Sequence, residues 1–234
     1  MRPSEIKDII WDWNGTIIDD FPVALESINT MLDEHRLPGI NSDKYRNVFG
    51  FPVRDCYIGL GFDVSSEPEW DRISRRFHDI YAGNWHKVRV RPGIPELLGL
   101  LTEQGMKNHI LSASEKNILE RQLSDLGIRD HFHSVHGLDD IYGSSKLDQG
   151  RRMLSELDID RTGTLLIGDT MHDHEVAEAL GVSCLLLSIG HQAEWRLKTC
   201  GCRLVGSIDD LHGLLLNGCG WEAKHSKAAF QCVR

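Results

Sequence analysis

The stretch Ile9-Ile10-Trp11-Asp12-Trp13-Asn14-Gly15-Thr16 decides the fold. Its apolar run closes on a carboxylate, which places Asp12 at the C-terminal end of a strand, the edge of an open α/β sheet where ligands bind. Gly15 and Thr16 then allow a sharp turn that brings backbone amides and a hydroxyl close to an anion. Asp, Asn and Gly also build ordinary turns, so the context must come from the rest of the chain.

Working outward, the same grammar returns at Thr164-Leu165-Leu166-Ile167-Gly168-Asp169, so two strands present acids at one sheet edge. After Arg91-Pro92-Gly93, helical patterns over 94–104, 115–126, 147–157, 174–180 and 208–216 alternate with short apolar strands over 107–111, 134–137, 164–169, 183–187 and 203–205. That rhythm indicates parallel βαβ units. The block from Pro22 to Trp85 lacks strand alternation. It reads as a helix over 22–35, stopped by Leu37-Pro38-Gly39, and later helices in which Trp70, Ile73, Phe77, Ile80 and Tyr81 share a face. The expected fold class is α/β: a Rossmann-like parallel-sheet core (residues 1–19 and 89–217) with an inserted α-helical subdomain (20–88). Linkers are expected at 19–22 and 87–93. A tail without clear periodicity, 218–234, is expected to be partly disordered.

The 234 residues carry a net charge of −9, with 41% hydrophobic and 26% charged residues, the balance of a soluble globular protein. This charge offers no basic footprint for nucleic acid or an anionic membrane. The mixed-charge N-terminus lacks the apolar region of a signal peptide, and no run of about 18 apolar residues suggests a membrane span. Cys56, Cys184, Cys200, Cys202, Cys219 and Cys232 form no CxxC pair; Cys200-Gly-Cys202 with Cys219 does not match zinc-ligand spacing. Reduced cysteines and a cytoplasmic location are expected. Monomer and homodimer both stay open.

The ordered series Asp12-x-Asn14-Gly15-Thr16, Ser112, Lys146 and Gly168-Asp169-x-x-x-Asp173 resembles the haloacid dehalogenase-like superfamily of phosphotransferases, over residues 5 to about 216. The helical insert is similar to the cap of its phosphoglycolate phosphatase-like branch, with Ile17-Ile18-Asp19-Asp20 as the hinge. The resemblance implies Mg²⁺ as cofactor, held by Asp12, Asp169, Asp173 and the backbone carbonyl of Asn14. It implies Asp12 as nucleophile toward a small phosphorylated metabolite. Ser112 and Lys146 would bind the phosphoryl group, with Gly15, Thr16 and Ala113 beside it. Ser114, a near competitor of Ser112, reads better as a helix N-cap. The segment Phe49-Gly50-Phe51-Pro52-Val53-Arg54 resembles the loop by which such caps meet the substrate, with Arg54 able to pair with an anionic group. His172-Asp173-His174 suggests no second metal, because neighbouring side chains on a helix diverge.

Most phosphatases of this superfamily carry a second Asp where this chain has Asn14. That acid protonates the leaving oxygen and activates water, a contribution of ~10²–10⁴-fold, and Asn14 can do neither. Several readings stay open: a phosphatase for good leaving groups or one with a substitute acid such as His78, His86 or His172; a phosphate-binding regulatory protein; or an Asn introduced to trap a complex. The phosphonate-cleaving branch also lacks the second Asp and would need Lys44 as a Schiff-base lysine.

Overall fold

The computed structural model describes residues 2–142 and 145–218, so the tail beyond 218, with Cys219 and Cys232, lies outside the described residues. Strand β1 (Asp8–Trp11) and the short β2 (Ile18–Asp19) precede four helices: α1 (Phe21–Glu34), α2 (Ser42–Val48), α3 (Val53–Leu60) and α4 (Glu67–Gly83). Then come β3 (Arg89–Val90), α5 (Ile94–Glu103), β4 (Lys107–Glu115), α6 (Lys116–Asp125), β5 (Ser134–Leu138) and α7 (Leu147–Glu156). The chain continues through β6 (Thr164–Gly168), α8 (Met171–Leu180), β7 (Ser183–Leu187), α9 (Glu194–Leu197), β8 (Arg203–Val205) and α10 (Ile208–Asn217).

Six strands form one parallel sheet in the order β5-β4-β1-β6-β7-β8. The order reverses around β1, so the ends of β1, β4 and β6 meet at a topological switch point, where a crevice opens. The expected α/β Rossmann-like class is the observed one. Alternation along the strands divides the core: Ile9, Trp11, Ile110, Leu165 and Ile167 pack on one face, and Ile10, Leu111 and Leu166 on the other against Met153, Leu154, Val176 and Leu180 of α7 and α8. Because β1 is covered on both faces, even its tryptophan is fully buried. Its indole needs a partner there, and Trp11 Nε1 donates to Asn108 Oδ1 at 2.9 Å.

The four helices α1–α4 are inserted between β2 and β3. The expected linkers are ordered here: Ile18 pairs with Val90 and Asp19 with Arg89 in an antiparallel ribbon. Two other boundaries differ from expectation. Strand β4 runs on to Glu115 through a register shift after Leu111, and α8 starts at Met171 rather than residue 174. The second difference comes from Thr170, which caps α8 and forms a capping box with Asp173.

Replacing Asn108 by Leu should strand the Trp11 indole N–H and cost about 1–3 kcal/mol of unfolding free energy. Denaturant melts of the single variant, of Trp11→Phe and of the double variant check this; a simply additive double variant would contradict the assigned coupling.

Candidate active site

Asp12 follows β1 with the parity of Ile10, which directs it to the side where α7 begins. Lys146 is the N-cap residue of that helix, and its ammonium pairs directly with Asp12 Oδ1 and, at 2.6 Å, with Asp173 Oδ1. The same Nζ donates to the Leu111 carbonyl at 3.0 Å, which ties it to β4 at its register shift. Asp169 leaves the end of β6, and Asp173 sits in the first turn of α8. Asp12, Asp169 and Asp173 each offer an oxygen within 4.8 Å of the others, and all three are buried.

Three buried carboxylates face one buried ammonium. Burial, with Asp173 and Asp169 adding repulsion, pushes the Asp12 carboxyl up, to about 8, although Lys146 pulls the other way. Burial likewise raises Asp169, to about 6. Burial also opposes ionisation of Asp173, but Lys146 and the Thr170 hydrogen bonds outweigh it and hold that carboxyl below the usual range. An all-oxygen cluster with this surplus of negative charge fits a hard divalent cation. Among the described residues no histidine joins this group: His172 stacks on Phe51 with centroids 4.6 Å apart, and His174 faces Glu178. Among the described residues no cysteine joins a metal-ligand cluster; Cys202 instead hydrogen-bonds Cys184.

Asn14 is fixed at both ends of its amide. Nδ2 donates to Asp20 Oδ2 at 2.8 Å, and Oδ1 accepts from the Ser114 hydroxyl at 2.8 Å. The reverse orientation would set an amide oxygen against a carboxylate, so the network defines which end is which. Asp20 receives three further bonds, from Gly15 N (2.8 Å), Tyr81 OH (2.9 Å) and His191 Nε2 (3.0 Å), which saturates its lone pairs. Burial opposes charge on both Asp20 and His191. Their mutual attraction nevertheless holds Asp20 low and His191 high, a buried ion pair. His191 completes the link to the sheet edge, since its backbone N–H donates to Asp169 Oδ2 at 2.5 Å.

Several expectations are corrected. The Gly15 and Thr16 amides are not available to an anion: Gly15 N is spent on Asp20, Thr16 N on the Trp13 carbonyl, and the Thr16 hydroxyl faces Asp169 at 3.4 Å. Gly15 matters through its backbone, with φ at +74° and a neighbourhood in which a Cβ would strike Asp169 and His191. Arg54 is engaged within the helical layer, donating to the Val64 carbonyl and to Glu67. Ser114 is no N-cap; Glu115 caps α6, which frees Ser114 to hold Asn14. Lys44 and His86 are exposed and line no part of the cleft, whereas His78 does line it and donates to the Ile141 carbonyl. Ser112 is buried one residue beyond Leu111, its Oγ accepting from Ser114 N, and Ala113 lines the cleft beside Asn14.

Sequence reasoning missed His191, Asp20 as a site residue, and Arg91. Buried Arg91 clamps the turn after Asp12 by donating from Nη2 to the carbonyls of Gly15 (3.0 Å) and Ile189 (3.2 Å). The helical layer is held down over the site by Gln192, which donates to the Phe49 carbonyl at 2.9 Å while accepting from Met171 N, and by Arg46, which donates to the Gly190 carbonyl.

A family model for haloacid dehalogenase-like hydrolases matches residues 9–187. A phosphoglycolate phosphatase of Chromobacterium violaceum is 25% identical over 227 residues, covering 93% of this chain and all of its own. An N-acetylmuramic acid 6-phosphate phosphatase of Pseudomonas aeruginosa is 26% identical, covering 82% of this chain and 85% of its own. The crystal structure of a predicted phosphatase from Clostridium acetobutylicum superposes with a TM-score of 0.78 at 21% identity, covering 91% of this chain and 99% of its own.

The raised carboxyls set the sign of a pH effect. Without a cation the folded chain keeps protons that the unfolded chain has lost above pH ~4, so stability falls as pH rises toward 8. A bound cation displaces those protons. Saturating Mg²⁺ should therefore raise Tm by about 5–10 °C at pH 8.5, less at pH 5.5, and little in Asp169→Asn. Differential scanning calorimetry checks this; a rise independent of pH would contradict it.

Proposed function

The chain belongs to the haloacid dehalogenase-like hydrolases, and from that premise we propose that it is a Mg²⁺-dependent phosphatase acting on a small phosphate monoester through a phosphoaspartyl at Asp12. The phosphatases among its relatives support the reaction class. The observation that carries the reading is the Asp12 carboxylate held between Lys146 and the Asp169–Asp173 pair at the switch point of the sheet.

Asp12, Asp169 and Asp173, with the Asn14 carbonyl, would hold the metal. When bound, Mg²⁺ offsets the carboxylate charge and polarises the phosphoryl oxygens. Asp12 attacks phosphorus and carries the phosphoryl group until water removes it, which splits one difficult step into two. Lys146 fixes the attacking carboxylate and lowers the repulsion between it and an incoming dianion. Ser112 donates its hydroxyl to a phosphoryl oxygen. Asn14 positions groups but supplies no proton, so the leaving oxygen has to depart largely unassisted.

Asn14 nonetheless suits its surroundings. A carboxylate there would face Asp20 at the 2.8 Å now spanned by an amide donor, and two like charges so close cannot both ionise without a large penalty. Exchanging the two groups preserves the pairing and moves the acid to residue 14.

Two outcomes follow. Asp12→Ala should lower Mg²⁺-dependent phosphate release from p-nitrophenyl phosphate by about 10³-fold or more; binding of Mg²⁺ and phosphate without turnover in the unaltered chain would instead favour a regulatory protein. The unaltered chain should favour p-nitrophenyl phosphate over an alkyl phosphate by ~10²–10⁴-fold in kcat, and Asn14→Asp combined with Asp20→Asn should narrow that gap. An equal gap in the double variant would contradict the role given to Asn14.

A further inference from the structure

A cavity of about 400 Å³ opens from Asn14, Ala113 and Ser114 into the helical layer, within the ~300–1,000 Å³ range of small-molecule sites. Its wall is largely aromatic, with Tyr45, Phe49, Phe51, Trp70, Phe77 and Tyr81 contributing. One polar group in the wall is unsatisfied: Ser74 is 4% exposed and its hydroxyl has no hydrogen-bond partner, a costly state for a buried group. Ser74 and Tyr81 lie seven residues apart on α4, nearly the same face and two turns along it, so about 10 Å separates them. Tyr81 touches Asn14 at 3.3 Å, so this face runs from the sheet edge to Ser74.

Charge in the same wall is nearly all committed. His191 pairs with Asp20, burial keeps His78 neutral, and Arg121 is exposed, one turn from Asp125. In the helical layer Arg54, Arg72, Arg75 and Arg76 pair with Glu67, Glu69, Asp71 and Glu34, and Arg46 lies over the Phe21 ring and donates to the Gly190 carbonyl. A carboxylate on the substrate beside its phosphate, as phosphoglycolate carries, would be desolvated in this cavity with no uncommitted buried cation among the described residues to meet it.

We infer that the substrate is the phosphate monoester of an apolar, ring-containing alcohol about two rings long, with a hydrogen-bonding group at its far end that meets Ser74. This rests on the reading that the phosphoryl group is received at Asp12, and the test separates the two. Calorimetric titration of the full chain in Mg²⁺ compares methylphosphonate, 2-naphthylmethylphosphonate and its 6-hydroxy derivative, none of which can be hydrolysed. The naphthyl compound should bind at least about 30-fold more tightly than the methyl compound, as burial of two rings implies. The 6-hydroxyl should add about 5-fold, and Ser74→Ala should bring that hydroxyl ratio to about 1. In turnover, kcat/KM for 2-naphthyl phosphate should exceed that for phenyl phosphate, whose leaving group has similar acidity, by about 10-fold. Equal binding of methyl and naphthylmethyl phosphonates overturns the inference whatever the turnover, and a hydroxyl preference that survives Ser74→Ala overturns the assigned contact. Tight naphthyl binding with no release of phosphate sustains the inference and overturns the hydrolytic reading.

Discussion

Everything at the sheet edge depends on one electrostatic imbalance: three buried carboxylates share one buried ammonium. Lys146 reaches Asp12 and Asp173 but leaves the cluster with surplus negative charge, and burial enlarges the penalty for each unit of it. A dianionic phosphoryl group could not approach such a cluster alone. That imbalance suits a hard divalent cation, and the fold supplies the candidate oxygens from three separate strand and helix ends.

A second buried ion pair, Asp20 with His191, sits beside the first and shapes how it is used. Asp20 spends its lone pairs on Asn14, Gly15, Tyr81 and His191, so it binds the turn after β1 to α4 and to the loop after β7. His191 in turn braces Asp169 through its backbone and meets Tyr45 of α2 at 3.1 Å. The helical layer is thus joined to the metal-ligand candidates by hydrogen bonds rather than by packing alone. The position of the helical layer and the geometry of Asn14 are consequently linked, and the asparagine stands here without leaving an unpaired polar group.

Much of this was legible along the chain because it is local. Apolar runs ending in acids mark the ends of β1 and β6. Lys146 and Asp173 were singled out by their place in the motif series that resembles the family, and the structure brings Lys146 onto both Asp12 and Asp173. What was not legible depends on tertiary approach. Asp20 and His191 are 171 residues apart, and nothing in a single sequence separates a buried acid after a strand from a surface one. The doublet Asp19-Asp20 was a weak signal: only the second acid turns inward, while Asp19 is half exposed against Arg91. The partners of Arg54 were not legible because a cation in the first turn of α3 is satisfied as readily by a neighbouring carbonyl and Glu67 as by a substrate. The start of α8 moved because a capping box outweighs a hydrophobic pattern at a helix end.

The most direct test of the central claim is chemical trapping on the nucleophile. The chain would be acid-quenched while turning over acetyl phosphate or 2-naphthyl phosphate in Mg²⁺, reduced with borohydride, and its peptides weighed. An acyl phosphate at Asp12 reduces to homoserine, so the account predicts that mass change in the peptide containing Trp11 and Asp12, and its loss when Mg²⁺ is withheld. Sustained release of phosphate with Asp12 unmodified, or with the change on another carboxylate, would contradict it.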